Sequence, residues 1–65
     1  MEKPILWKQI TIVLRGRTVN GSYAVEGGIV KVRTAKGEKT ARLGSVNEIW
    51  LAGCLLRELA EEGKA

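Results

Sequence analysis

Three dipeptides constrain this chain more than anything else in it: Asn20-Gly21, Gly27-Gly28 and Lys36-Gly37. Around them apolar and polar residues alternate, as in "SYAVEGGIVKVRTAKGEKTARLG" from Ser22 to Gly44. A period of two marks half-buried strands, and glycine-centred breaks between such strands mark hairpins. Asn20-Gly21 is the strongest two-residue turn signal, because both central residues of a type I′ turn need φ > 0. Gly27-Gly28 can serve in the same way. Lys36-Gly37 is a weaker match, and its glycine also suits a longer loop with a bulge.

If all three are two-residue turns, the cross-strand partners follow by counting. Asn20-Gly21 sets Thr18 against Tyr23 and Arg17 against Ala24. Gly27-Gly28 sets Val25 against Val30, Ala24 against Lys31 and Tyr23 against Val32. Lys36-Gly37 sets Val32 against Ala41, Lys31 against Arg42 and Val30 against Leu43. Opposed residues share a sheet face. One face then collects Ile10, Ile12, Leu14, Thr18, Tyr23, Val25, Val30, Val32, Ala41 and Leu43, nearly all apolar. The other collects Arg15, Arg17, Lys31, Arg33 and Arg42, with Val13, Val19, Ala24, Ile29 and Thr40 between them.

A helix follows the last strand. Ser45 and Glu48 form the capping box S-x-x-E, which predicts an N-cap at Ser45, and Gly63 is placed to end the helix. Ile49, Ala52, Leu55, Leu56, Leu59 and Ala60 make one broad helical face that should cover the sheet. The expected fold is α+β and a single domain over residues 1–65. It is a four-stranded antiparallel β-meander, at about 7–19, 22–26, 29–35 and 38–43, with one C-terminal α-helix at about 46–62 packed on its apolar face.

A chain of 65 residues buries only about 60% of its unfolded surface. Domains this small often add disulfides, a metal or a partner subunit. Cys54 is the only cysteine, there is no His, and all seven acidic residues are Glu. A partner subunit is therefore the remaining common device. The same inventory argues against catalysis, since no histidine is present to activate the Cys54 thiol. "GRTVNG" and "VEGGIV" lead into no helix and so match no phosphate loop. The chain reads as a non-enzyme with no cofactor, no metal and no evident small-molecule substrate.

Charge is unevenly spread. Residues 1–45 carry nine Lys/Arg and three Glu, while residues 46–65 carry two and four. The basic character belongs to the strands, and an anion platform is its functional reading. The first expectation is a small binding module contacting the phosphate backbone of duplex DNA through Arg15, Arg17, Lys31, Arg33 and Arg42. Duplex is favoured over single strands because the counted face carries no exposed aromatic for base stacking. The alternative is a homodimerising or protein-interaction adaptor whose basic face is only solvated. Trp7, Trp50, Leu51 and Cys54, with Ile5 and Leu6, exceed what one sheet–helix layer must bury. Two such patches would meet about a two-fold axis. Residues 5–13 overrun the counted pairing, and they are free to curl against the fourth strand, cover the helix or pair with a second chain.

No signal peptide is expected, because polar residues interrupt the apolar start and no small-residue cleavage site follows. The longest apolar run, "IWLAGCLL", is far short of the ~20 residues that span a bilayer. A lone thiol suits a reducing cytoplasm, so a cytoplasmic location without membrane attachment is the expectation.

From Gly16 to Gly63, the stretch "GSYAV…VKVRTAKGEKTARLGSVNEI" resembles the three-stranded DNA-binding domains of phage-integrase N-termini and plant AP2-type factors. The resemblance lies in the strand meander, the step into a helix and the charged outer sheet face. It implies duplex reading by the sheet face opposite the helix. The chain differs from them in its long first strand and in having no aromatic among the counted sheet arginines. It also resembles short bacterial proteins of unknown function, from which no activity carries over.

Overall fold

The first turn of the sheet falls at Arg15-Gly16, where both residues are left-handed, with φ of 53° and 77°. The computed structural model describes residues 6–65. Its strands are β1 (Lys8–Leu14), β2 (Arg17–Glu26), β3 (Ile29–Arg33) and β4 (Glu38–Arg42), followed by helix α1 (Glu48–Glu61). The strands form one antiparallel sheet in the order β1-β2-β3-β4, so the fold is the four-stranded meander with a C-terminal helix.

The count of strands holds, but the expected first hairpin does not. Asn20-Gly21 is not a turn and lies inside the ten-residue β2. A turn at Arg15-Gly16 pairs the whole of β1 with β2, from Leu14↔Arg17 to Lys8↔Tyr23. A turn at Asn20-Gly21 would have left most of the N-terminal run without a partner. The longer ladder prevails over the better turn dipeptide. Thr18 therefore moves to the outer face, opposite Val13. Arg17 and Val19 move to the helix side, where Val19 packs against the core. Val19, Gly21, Tyr23 and Val25 share one parity, which is the sequence signal of an unbroken β2.

Gly27-Gly28 forms the expected two-residue turn, with Ala24↔Lys31 and Tyr23↔Val32 opposed. Both glycines have positive φ. The third connection is the longer loop. The amide of Thr34 donates to the Gly37 carbonyl at 2.8 Å, and the Thr34 hydroxyl accepts from the amides of Lys36 and Gly37. This moves the β3–β4 register by two residues, so Val30 meets Ala41 and Lys31 meets Thr40 rather than Arg42. A shift of two preserves the faces. Val30, Val32 and Ala41 stay toward the helix, and Lys31, Arg33 and Arg42 stay away from it.

Ile10, Tyr23, Val30 and Val32 from the sheet and Ala52, Leu55, Leu56 and Leu59 from α1 make the buried core. Gly21 explains the close seat of the helix. A Cβ there would lie 2.9 Å from Leu56 Cδ1 and 3.1 Å from the Arg33 carbonyl oxygen. Two helix expectations change. Ile49 is 60% exposed, whereas Leu51 packs against the core. The N-cap is Asn47 rather than Ser45, its side-chain oxygen accepting from the amides of Ile49 (2.8 Å) and Trp50 (3.1 Å). Gly63 closes the C-terminus as expected. It is left-handed, and the Lys64 amide returns to the Leu59 carbonyl at 2.8 Å, a Schellman closure. No helix among the described residues is long and apolar enough to cross a membrane.

Candidate functional site

The five cations counted onto one face do not form one patch. Lys31, Arg33 and Arg42 share the outer face by register. Arg15 sits in the first turn. Arg17 pairs with Leu14 on the opposite face and lies beside Val19, Ala60 and Ala65. Arg42 is opposite Ile29, level with Glu26 at the far end of β2 from Arg17. That separates the two arginines by about 30 Å at about 3.3 Å per residue. Two outer-face cations also have acidic partners there. Lys31 Nζ is 3.4 Å from Glu26 Oε1, and Arg33 Nη2 is 2.9 Å from Glu38 Oε2.

An aromatic does stand on this face, which corrects the sequence reading. The Arg33 guanidinium carbon is 4.5 Å from the centroid of the Trp7 ring, a cation–π contact. Trp7 has the parity of Gln9, Thr11 and Val13, the outward side chains of β1, and that parity is the signal by which sequence could have found it. Trp7 therefore does not join Trp50, Leu51 and Cys54. Of these, Leu51 belongs to the core margin and Cys54 is half-buried. Trp50 is 61% exposed. Ile5 lies outside the described residues.

The two free edges of the sheet differ. On β4, with the sequence Glu-Lys-Thr-Ala-Arg, charges occupy most positions. Its Lys39 turns to the helix side and reaches Glu58 at 3.1 Å and Glu62 at 2.5 Å. Hydrogen bonds to Glu62 and then Glu58 raise the Lys39 pKa above that of an ordinary lysine. The reciprocal bond from Lys39 lowers that of Glu62. The expectation that placed charge only on the outer face missed this clamp. Its signal was the parity of Lys39 with Ala41 and the four-residue spacing of Glu58 and Glu62.

On β1, with the sequence Lys-Gln-Ile-Thr-Ile-Val-Leu, no charge follows Lys8. Lys8 itself lies 3.9 Å from Glu48 at the start of α1. In a two-residue hairpin the residues flanking the turn form a hydrogen-bonded pair, and such pairs alternate along the ladder. Leu14, Ile12 and Ile10 therefore bond inward to β2. Gln9, Thr11 and Val13 direct their backbone N–H and C=O groups to the open edge, and among the described residues β1 has no second neighbour. Beside this edge runs an apolar flank of the helix. Ile12, Val13, Ile49, Trp50, Gly53 and Cys54 line one shallow depression with Arg57 at its rim. Gly53 of the helix stands against Ile12, where a Cβ would meet Ile12 Cγ2 in ordinary contact at 3.8 Å.

A polar cleft on the outer face, between Thr11, Asn20, Ser22 and Arg33, has less to offer a ligand. The Thr11 hydroxyl donates to Asn20 Oδ1 at 2.9 Å, and Arg33 is held by Glu38. Among the described residues no three His, Cys, Asp or Glu side chains gather as a metal site. No protein-family model, no curated protein and no solved structure matches this chain.

Proposed function

We propose that this protein is a non-catalytic interaction module that docks a protein strand along the free edge of β1. The observation that carries this reading is the contrast between the edges. β4 is guarded by charge in the way that isolated edges are kept from pairing, while β1 presents outward backbone groups beside a flank that leaves Trp50, Ile49 and Val13 at 61%, 60% and 74% exposure. Strand addition uses these two elements, with main-chain hydrogen bonds for affinity and neighbouring apolar pockets for specificity. A photo-crosslinking residue at Thr11, compared with one at Thr40 on β4, tests it in cells. Adducts should form from position 11, fade when Trp50→Glu is added, and be absent from position 40. An absence of adducts from position 11, or equal yields from both edges, would overturn the reading.

Duplex DNA is the second reading, supported by Lys31, Arg33 and Arg42 on one face with Trp7 among them. Phosphates must then displace Glu26 and Glu38 from two of these cations. The expected dependence of log affinity on log salt is shallow, with a slope near −1 to −2 for one or two neutralised phosphates at about −0.9 each. No binding to a duplex at low salt eliminates it.

A further inference from the structure

Resting on the docking reading, we infer that the strand received by β1 is β1 of a second copy of this chain. The sheet then continues as eight antiparallel strands, with both helices on one side. A two-fold axis normal to the sheet is the symmetry that pairs a strand antiparallel with itself, and it requires like faces to match. Centred on Thr11, it opposes Thr11 to Thr11, Gln9 to Val13, Ile10 to Ile12 and Lys8 to Leu14. This centre uses all of Gln9, Thr11 and Val13, the outward-bonding residues of β1, whereas a shift to Ile10 or Ile12 strands one of them. It places no like charges opposite each other, and on the helix side it sets isoleucine against isoleucine.

The helix flank obeys the same axis. Gly53 is level with Ile12, which brings Trp50, about 4.5 Å back along the helix at about 1.5 Å per residue, close to the level of Thr11 and hence to the axis. The two indoles then lie side by side. Arg57, one turn beyond Gly53, pairs with Glu61 of its own helix at 3.4 Å and is carried toward the Lys8–Glu48 pair of the second copy, so no unpaired like charges meet there. The flank is thus complementary to itself in its apolar surface, and its charges do not oppose the match. β4 centred on Thr40 would set Glu38 against Arg42 and Lys39 against Ala41, so its ladder alone does not forbid self-pairing. What it lacks is the apolar flank, because its helix side carries the ion pairs of Lys39 with Glu58 and Glu62. The contact is one strand edge and a few side chains, below about 1,200 Å² in all, which places it among weak, concentration-dependent dimers.

Sedimentation equilibrium of the purified protein from about 1 μM to about 1 mM tests association over the range expected of a small interface. The register is tested by cysteine cross-linking in a Cys54→Ser background. Thr11→Cys should form an interchain disulfide, because a hydrogen-bonded pair holds its Cα atoms about 5.5 Å apart, within the roughly 4.4–6.8 Å that a disulfide accepts. Gln9→Cys alone should not, since the axis sets it against Val13. Gln9→Cys mixed with Val13→Cys should. A monomer throughout the range overturns the second copy. An adduct from position 11 in cells with a mass other than twice the chain does so too, while leaving strand docking in place. A dimer that cross-links through Thr40→Cys but not Thr11→Cys overturns both, and one that cross-links through Gln9→Cys alone overturns the pairing centred on Thr11 while leaving strand docking at β1 in place.

Discussion

The β1 and β4 edges are built from the same backbone and serve one core, yet they are finished differently. β4 is short and charged, and it is tied to the helix by Lys39 with Glu58 and Glu62. β1 is longer, charged only at Lys8, and bordered by the exposed Trp50 and Ile49, with one long ion pair to the helix, Lys8 to Glu48 at 3.9 Å. The contrast teaches that edge protection is a local choice. Exposed ion pairs contribute little stability, so the β4 clamp acts mainly by making that edge a poor template, and a β1 without a clamp stays open to pairing.

The largest effect should come from removing what both edges share. Leu56 is fully buried over Gly21, and Leu56→Ala should cost about 2–5 kcal/mol in urea unfolding. Both edges should lose amide protection together; protection lost at one edge alone would show that they do not rest on one core. Next in size, Val13→Lys should weaken association at least tenfold, about 1.4 kcal/mol, while Thr40→Lys on β4 leaves it unchanged. Sedimentation of the two variants side by side is the measurement, and equal effects would erase the distinction between the edges. Arg15→Asn comes third. Arg15 holds φ 53° in a turn that favours Asn, so the variant should gain roughly 1 kcal/mol against thermal unfolding, with the added amide protection against local opening largest in β1.

The smallest effect concerns acid and base. The Glu62 carboxyl, lowered by its bond to Lys39, adds stability above the unfolded carboxylate pKa and loses it as pH falls through the lower folded value. Lys39, raised by Glu62 and Glu58, adds stability below the unfolded lysine pKa and loses it as pH climbs through the higher folded value. Thermal melts of the wild type and of Glu62→Gln should therefore converge in acid and separate slightly near neutrality. Amide exchange should place the difference at β4 and not at β1. A difference that persists unchanged into acid would remove the clamp from the comparison.

Much of this was legible from residues alone. The Gly27-Gly28 turn and its flanking alternation fixed β2 against β3, because a two-residue turn and a period of two must agree. The β3–β4 faces survived a wrong turn length because the error was an even number. The first hairpin does not form at its best turn dipeptide, because a turn at Arg15-Gly16, with only one glycine, gives all of β1 a partner, and that ladder outweighs the propensity of Asn20-Gly21. Counting from Asn20-Gly21 moves Arg17 and Val19 onto the wrong face and makes the basic patch look denser than it is. The same count leaves residues 5–13 as an unpaired overrun, with pairing to a second chain as one of three options, where the structure gives residues 8–13 β2 on one side and leaves the other edge open. The ion pairs of Lys31 and Arg33 depended on Glu26 and Glu38 arriving as neighbours, which is a fact of register and not of composition.

The nearest-neighbour order of the strands also has a kinetic consequence. Every strand pairs with the one beside it in sequence, and two of the three connections span two residues. Each contact that must form early therefore closes a short loop, and the entropy spent on closure before any reward is small. Refolding is expected on the millisecond scale or faster for so local a topology, with the hairpin through Gly27-Gly28 and its neighbour at Arg15-Gly16 able to form independently. Either hairpin can then template the other, with the helix supplying the second layer that buries their shared apolar face.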